Sequence, residues 1–236
     1  MEAQYDACMD EQEVERQYER WLRSRSPVAL YVRWYLRHRR PREAARLWEQ
    51  VGAGTYPRVL DVGCAGGFYL LDAHRRGHGL ELLAGVDLSE TLLDEARSRL
   101  AAVAAHTGVV LERSGATTLP FVDASFDAVL SNGMAKYLDD ADLRRFCSEA
   151  FRVLAPGGRA CVAEFARPVG WGTRVDLERI GIPMAHLRAG EALAAALREA
   201  GFTDEGRFEV DRIRRIPLAY EGAVGTRPGT RVSAGA

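Results

Sequence analysis

The chain has 236 residues, of which 47% are hydrophobic, and its formal net charge at pH 7 is -1. This length supplies one sizeable hydrophobic core, and the near-zero charge gives no electrostatic reason to expect a polyanionic partner. No apolar run approaches the ~18 residues of a membrane span, and the acidic, polar first residues are unlike a signal peptide. We therefore expect a cytoplasmic protein with no membrane partner. The four cysteines form no C-x-x-C pair and have no histidines at zinc spacing, so no metal site is expected.

Helical patterns come first in the chain and strand patterns follow. Up to about residue 52 the apolar spacing is that of amphipathic helices, and we expect Pro27 and Pro41 to separate them. From Arg58 onward, short apolar runs alternate with helical stretches. The predicted strands are RVLDVG, ELLAGVD, GVVLERS, FDAVLSN and GRACVAEF. The predicted helices between them lie at about 67–77, 89–106 and 139–154. This alternation predicts a parallel sheet covered on both faces.

The last part of the chain has a different pattern. A helical stretch, GEALAAALREAGF, is followed by RFEVDRI and LAYEGAVGTR, which are close enough in sequence to form an antiparallel hairpin. The predicted fold is α/β, Rossmann-like and doubly wound. It has a mostly parallel seven-stranded sheet with a C-terminal antiparallel hairpin and an N-terminal helical cap. The predicted boundaries are a cap at 1–56, a cofactor-binding domain at 57–228 and a flexible tail at 229–236.

Three glycines lie between the first predicted strand and the next helix, at Gly63, Gly66 and Gly67. Ligands of open parallel sheets bind beyond the carboxyl ends of the strands, and glycines there let a ligand approach the backbone closely. A tight turn that only packs the helix on the strand would also use glycine. However, the second strand ends in Asp87, where an acid can accept hydrogen bonds from both hydroxyls of a ribose. Together these features predict a site for a nucleoside-bearing cofactor.

Asp61 distinguishes between two such cofactors. A dinucleotide site has the pattern G-x-G-x-x-G and holds a pyrophosphate at the helix N-terminus. Here an acid stands two residues before the first glycine, where it would repel that pyrophosphate. The same acid suits the ammonium or sulfonium of an amino-acid cofactor. The pattern therefore favours S-adenosylmethionine over NAD.

In these motifs the chain resembles the class I S-adenosylmethionine-dependent methyltransferases, in the branch related to the ubiquinone and menaquinone methyltransferases. VLDVGCAGG is similar to the first glycine motif of that family, and GVDLSE is similar to its ribose-binding motif. The fourth strand of the family and the segment before it resemble LPFVDASFDAVLSNGM. The helix, turn and strand that follow resemble AFRVLAPGGRACVAEF, and the late helix resembles LAAALREAGF. The resemblance covers residues 57–226.

The resemblance implies a role for each residue of these motifs. Asp61, Gly63 and Gly66 are expected around the methionine part of the cofactor, Asp87 at the ribose and Leu88 beside the adenine. Where the family carries an acid for the adenine amino group this chain has Gly115, so backbone, a threonine hydroxyl or water must replace that acid. The full set of expected cofactor-binding residues is Tyr18, Asp61, Gly63, Cys64, Ala65, Gly66, Asp87, Leu88, Ala116, Thr117, Ser131, Asn132 and Gly133.

The chemistry of the cofactor suggests what else the site needs. We expect transfer of a methyl group from S-adenosylmethionine to an oxygen or carbon of a small molecule, a specialised metabolite. The protein must hold the nucleophile in line and exclude water, and such nucleophiles usually also lose a proton to a base. The candidate catalytic residues are His186, before the late helix, and Tyr137, after the fourth strand. A surface position for His186 and a packing role for Tyr137 are the alternatives, and Glu164 is interpreted equally well as a base or a structural ion pair.

Two other functions stay open. A nucleic-acid methyltransferase is supported by YVRWYLRHRRPREAAR, where arginines and aromatic residues interleave. The turn SNGM offers no flat aromatic wall for a flipped base, so no nucleic-acid partner is expected. The other function keeps the fold and cofactor for a non-methylating reaction such as cyclisation. The expected partner is a small-molecule acceptor, and a homodimer is left open.

Overall fold

The computed structural model describes residues 13, 15–16, 19–20, 23–52, 56–77, 79–166, 186–213 and 218–229. The helices are α1 (Pro27–Val51), α2 (Phe68–Arg76), α3 (Glu90–Leu100), α4 (Asp140–Val153) and α5 (Gly190–Glu199), with a 3-10 turn at Ala135–Tyr137. The strands are β1 (Arg58–Val62), β2 (Leu82–Asp87), β3 (Gly108–Arg113), β4 (Phe126–Asn132), β5 (Leu154–Phe165), β6 (Thr203–Ile213) and β7 (Leu218–Thr226). None of the described helices is both long enough and apolar enough to cross a membrane.

All seven strands form one sheet in the order β3-β2-β1-β4-β5-β7-β6. The first five strands along the chain pair in parallel, and β7 pairs antiparallel with both β5 and β6. The predicted fold class is therefore confirmed, including the antiparallel hairpin. The strand order reverses between β1 and β4, because the chain moves outward to β3 and then returns. In open α/β sheets this switch point opens a crevice beyond the carboxyl ends of the strands.

Each face of the sheet has its own hydrophobic core. Val59, Leu130 and Cys161 lie in one core, with residues of α1, α2 and α3. Their strand neighbours Leu60 and Val129 lie in the other core, with residues of α4 and α5. Because side chains alternate along a strand, Asp61, Asp87 and Asn132 belong to the face of the first core. The acids and the amide at the carboxyl edge thus share one side of the sheet.

The leading helix differs from the prediction. Pro27 is its first residue, and the side chain of Ser26 caps it by accepting the Ala29 N–H at 3.1 Å. The expected break at Pro41 is wrong, because α1 continues through this residue to Val51. A proline inside a helix removes one hydrogen bond. The buried side chains that follow Pro41 hold the helix on the sheet nonetheless; they are Ala44, Leu47, Trp48 and Val51.

The helix expected at 89–106 is also shorter than predicted. It ends at Leu100, and residues 101–106 form turns that lead into β3. Gly108 begins this strand where a Cβ atom would lie 2.9 Å from the carbonyl oxygen of Glu81. A side chain at this position would clash with that carbonyl, so glycine is required at the start of the strand.

Candidate functional site

The glycine turn after β1 is fastened to the end of β2. The N–H groups of Gly63 and Cys64 both donate to the carbonyl of Val86, at 2.8 and 3.0 Å. Gly63 has a φ of 78°, and a Cβ atom there would lie 2.9 Å from the Cβ of Met134. Both facts require glycine at this position. The turn thus lies at the switch point, between β2 and the segment after β4.

The other residues of the turn contribute backbone more than side chain. The Cys64 thiol is buried against Gly85, and burial, followed by the charges of Asp61 and Asp87, raises its pKa. A Cβ atom on Gly66 would meet Glu95 and Arg99 of α3. These are the ends of flexible side chains, whereas a Cβ atom on Gly67 would lie 3.0 Å from the Cβ of Ala96, so it is Gly67 that lets α3 approach the turn closely.

Asp61 is fully buried, and neither of its carboxylate oxygens has a hydrogen-bond partner among the described residues. Burial, with a further contribution from the charge of Asp87, raises its pKa to about 8. A buried carboxyl group without partners is costly in its charged form. A cation placed beside it would restore its charge and its hydrogen bonds.

Asp87, at the end of β2, is positioned by two backbone groups. Its two carboxylate oxygens accept the N–H groups of Ala65 and Ser89, each at 2.9 Å. Burial raises its pKa, and these backbone hydrogen bonds oppose the rise. Each oxygen keeps acceptor capacity for a further donor. Beside it, the carbonyl of Leu88 accepts the Nε–H of Arg113 at 2.9 Å.

The loop after β3 returns to the same edge. The Ser114 N–H donates to the carbonyl of Asp87 at 3.2 Å, and the Ser114 hydroxyl donates to the carbonyl of Thr118 at 2.9 Å. Ala116 and Thr117 follow in the same loop and are half-buried. The backbone of Gly115 lies outside the left-handed region. The structure thus brings the loop of the predicted adenine residues next to Asp87.

At the end of β4 the residues Ser131 and Asn132 face opposite sides of the sheet. The Ser131 hydroxyl is buried and has no partner within the described part of the chain. The Asn132 side chain donates to the Tyr69 hydroxyl and accepts a hydrogen bond from the Tyr220 hydroxyl. Gly133, with a φ of 74°, then turns the chain and donates to the carbonyl of Ala163 at 2.8 Å.

A buried ion pair holds the 3-10 turn on β5. Glu164 accepts the N–H groups of Lys136 at 2.9 Å and of Phe165 at 2.8 Å, and the Lys136 ammonium lies 3.8 Å from its carboxylate. The ammonium also donates to the carbonyl of Gly133. Burial lowers the pKa of Lys136, and the charge of Glu164 opposes this. Because both oxygens of Glu164 are used in this way, its arrangement is that of a structural ion pair.

Arg188 connects the two segments that carry the predicted catalytic residues His186 and Tyr137. Its guanidinium donates to the carbonyls of Ala135 at 3.0 Å and Leu138 at 2.8 Å, on either side of Tyr137, and to the carbonyl of His186 at 2.9 Å. His186 is partly buried, and burial, together with the charge of Arg188, lowers its pKa. The imidazole is therefore neutral at pH 7.

Three residues of this edge were not predicted from the sequence, and one predicted residue lies outside the described part of the chain. Tyr69 and Tyr220 contact Asn132, and Arg188 contacts backbone carbonyls and the carboxylate of Asp140. The position of Tyr69 directly after the glycine turn was the one available signal. Tyr18 lies outside the described residues. Within the described residues, no group of three or more histidine, cysteine or acidic side chains is placed to hold a metal ion.

These residues fit S-adenosylmethionine. Asp61 offers two unpartnered oxygens to a cation, and Asp87 offers a positioned carboxylate at the next strand. The glycine turn between them leaves room for a ligand along the backbone. A pyrophosphate would meet two carboxylates at the same place, so the arrangement disfavours a dinucleotide.

Comparison with known proteins agrees with this geometry. A family model described as a methyltransferase domain matches residues 59–158. The ubiquinone/menaquinone biosynthesis C-methyltransferase UbiE of Roseobacter denitrificans is 31% identical over 182 residues, which cover 76% of this chain and 67% of that protein. The chain belongs to the class I S-adenosylmethionine-dependent methyltransferase family.

Other relatives match over a smaller share of their own length. The demethylmenaquinone methyltransferase of Symbiobacterium thermophilum is 37% identical over 47% of this chain and 43% of its own. The 27-O-demethylrifamycin SV methyltransferase of Amycolatopsis mediterranei is 31% identical over 67% of this chain and 58% of its own. The chain thus spans about half the length of these two relatives.

Solved structures confirm the fold. The geranyl diphosphate C-methyltransferase of Streptomyces coelicolor, solved with S-adenosyl-L-homocysteine, superposes with a TM-score of 0.63 at 19% identity, over 78% of each chain. The [4+2]-cyclase SpnF superposes with a TM-score of 0.65 at 20% identity, over 80% of this chain and 81% of its own.

Proposed function

We propose that this chain transfers the methyl group of S-adenosylmethionine to an oxygen or carbon atom of a small molecule, and that the acceptor is a specialised metabolite. The observation that carries the proposal is the pair of acids at the switch point, Asp61 without partners and Asp87 held by two backbone N–H groups. The names of the relatives support the acceptor class, because they describe methylation of quinones and of a rifamycin.

The binding part of the proposal follows the order of the strands. Asp61, on β1, takes the ammonium of the cofactor, and Asp87, on β2, accepts the ribose hydroxyls. Leu88 and the loop at Ala116 and Thr117 flank the adenine. Gly63 and the backbone of Ser131 to Gly133 lie at the methionine part.

The acceptor side lies on the opposite flank of β1, toward β4 and the 3-10 turn. When bound, the cofactor supplies a methyl group that is already activated by the sulfonium. The protein then has to orient the nucleophile and remove its proton. In our proposal His186, neutral at pH 7 because burial and Arg188 lower its pKa, accepts this proton. Tyr137, on the 3-10 turn that Arg188 contacts, orients the acceptor.

Cofactor binding is tested by titration calorimetry with S-adenosylhomocysteine. In Asp87→Asn one charged acceptor for the ribose is lost, and we expect affinity to fall ~10- to 100-fold, since a hydrogen bond to a charged group contributes about 1.5–3 kcal/mol. Asp94→Asn is the matched control, because Asp94 is an exposed acid on α3. Equal affinity in both variants, or tight binding of NAD by the wild type, would contradict the proposal.

Transfer itself is tested with S-adenosylmethionine that carries a labelled methyl group, using demethylmenaquinone and 27-O-demethylrifamycin SV as acceptors. The expected result is a labelled product with at least one acceptor and loss of product in His186→Ala. Consumption of an acceptor without incorporation of the label would indicate a non-methylating reaction such as cyclisation and would overturn the proposal.

A further inference from the structure

Met134 lies where the segment after β4 meets the glycine turn. A Cβ atom placed on Gly63 would be 2.9 Å from the Cβ and 3.0 Å from the Cγ of Met134. Apart from the chain neighbours of Gly63, Met134 is the only described residue within 4 Å of that point. The beginning of this side chain therefore packs on the bare backbone of the turn, at the switch point of the sheet.

Backbone hydrogen bonds on both sides fix the position of Met134. The preceding residue, Gly133, has a φ of 74° and donates its N–H to the carbonyl of Ala163 at 2.8 Å, while its own carbonyl accepts the Lys136 ammonium. The carbonyl of Met134 accepts the Tyr137 N–H at 3.0 Å. The Met134 side chain is half-buried and packs on the core that contains residues of α4 and α5. Met134 is thus held between β5 and the 3-10 turn.

In the proposed function, the sulfur of the cofactor lies beside this side chain. The sulfonium carries three groups, which are the amino-acid chain, the ribose and the methyl group. The first two are directed to Asp61 on β1 and to Asp87 on β2. Because β1 lies between β2 and β4 in the sheet, the third group faces the side of β4, where Met134 covers Gly63. An alkyl group longer than methyl would therefore extend against Met134.

We propose that Met134 is a specificity-determining residue that restricts the alkyl group on the sulfonium to methyl. The side chain leaves room for one carbon beyond the sulfur and none for a second. Met134 has an ordinary right-handed backbone, with a φ of -101° and a ψ of -32°, so a shorter side chain at this position introduces no backbone strain. This inference rests on the proposed function in that it takes S-adenosylmethionine as the cofactor.

The test measures the affinity of three ligands by titration calorimetry. S-adenosylmethionine and S-adenosylethionine differ by one methylene group, and S-adenosylhomocysteine has no alkyl group to transfer. We expect the wild type to bind S-adenosylethionine at least ~10-fold more weakly than S-adenosylmethionine, since one methylene in a hydrophobic pocket changes binding by about 10- to 200-fold. In Met134→Ala this ratio should fall to about 3 or less, while the affinity for S-adenosylhomocysteine is unchanged.

Leu138→Ala is the matched control. Leu138 is also half-buried and packs on the same core, but it lies at the other end of the 3-10 turn from Met134. Its truncation should therefore leave the ratio of the two affinities as it is in the wild type. Met134→Val covers the case in which Met134→Ala does not fold. It shortens the side chain less, so we expect an intermediate ratio.

Equal affinities of the wild type for S-adenosylmethionine and S-adenosylethionine would overturn the inference. An unchanged ratio in a folded Met134→Ala or Met134→Val would do the same, as would the same fall of the ratio in Leu138→Ala. A loss of equal size for all three ligands would show that Met134 only packs the turn, and this too would overturn it. Wild-type protein that binds none of the three ligands would instead contradict the proposed function itself.

Discussion

Asp61 makes the stability of the protein depend on pH in an unusual direction. Burial and the charge of Asp87 raise its pKa to about 8, above the ~3.9 of an aspartate in the unfolded chain. A carboxyl group with a raised pKa contributes stability that is complete below the unfolded pKa and is lost as the pH rises through the folded one. The contribution of Asp61 to the free energy of unfolding therefore falls as the pH rises from about 4 to about 8.

We expect the free energy of unfolding of the wild type to fall relative to that of Asp61→Asn as the pH rises across this window. Asparagine keeps the shape of the side chain and cannot ionise. Urea unfolding of both proteins at pH 5 and pH 8 measures the difference. A difference that does not change between the two pH values would show that Asp61 ionises as it does in water.

Ala65 is strained by its backbone. Its φ is 45°, in the left-handed region, and its N–H is held there by Asp87. An L-residue in this region costs roughly 1–2 kcal/mol, so we expect Ala65→Gly to raise the free energy of unfolding by about 1 kcal/mol. The control is Ala73→Gly inside α2, which should lower it by about 1 kcal/mol or more. Chemical unfolding that ranks the two variants in the opposite order would contradict this assignment.

The sequence predicts those site residues that lie in short local motifs. Asp61, Gly63 and Asp87 belong to short segments in which a strand, a turn and an acid follow one another, so their positions at the edge of the sheet can be anticipated. Tyr69 and Tyr220 cannot be anticipated in this way. They lie 63 and 88 residues from Asn132 in the chain, and only the pairing of β5 with β7 brings the second one near.

Among the structural elements, the described residues before α5 are attached to the 3-10 turn through the Arg188 side chain. The Arg188 guanidinium is planar and donates hydrogen bonds to the carbonyls of Ala135 and Leu138 at the same time. Lysine cannot reproduce this geometry. We expect Arg188→Lys to lower the free energy of unfolding by about 1–3 kcal/mol, because buried acceptors lose their donors. Arg188→Lys should also lower turnover, because the same guanidinium donates a hydrogen bond to the carbonyl of His186.

Arg144→Lys is the matched control for this prediction. Arg144 is exposed on α4, and a surface exchange of this kind changes stability by no more than about 0.5 kcal/mol. Urea unfolding of both variants separates the two positions. Equal stability in Arg188→Lys and Arg144→Lys would show that the carbonyls are satisfied without the guanidinium.

Strands were predicted better than helices. Each parallel strand is a short apolar run bounded by turn residues, which leaves few alternatives for its position. The ends of α1 and α3 depend instead on tertiary packing. Trp48 and Val51 hold α1 on the sheet beyond Pro41, and α3 ends at Leu100, before the end of its predicted helical stretch. Neither effect is visible in the local pattern.

At the scale of the whole molecule, ligand binding and global stability are linked. The two hydrophobic cores share one sheet, and the proposed cofactor residues lie on its central strands. A ligand that binds only the folded state at 100 times its Kd adds ~2.7 kcal/mol of stability. For a chain of this size we expect S-adenosylhomocysteine to raise the Tm by ~5–10 °C. In calorimetric scans Asp87→Asn should show little shift at the same concentration, and an equal shift in both proteins would place the ligand elsewhere.

The fold class was predictable because it depends on the alternation of strands and helices along the entire chain. One misplaced helix end does not change that alternation. The sequence named His186 and Tyr137 as separate catalytic candidates, and it did not predict that Arg188 would connect their two segments. These contacts join residues about 50 positions apart in the chain, which no local pattern indicates.

The proline inside α1 divides one helix into two halves with different attachments. Pro41 has no N–H, so the carbonyl of Arg37 has no partner in the helix. The half after Pro41 is buried in the core, whereas the half before it exposes Leu30 and Trp34. Amide hydrogens of the second half will therefore exchange with solvent only when the sheet itself opens, and those of the first half will exchange by local fraying.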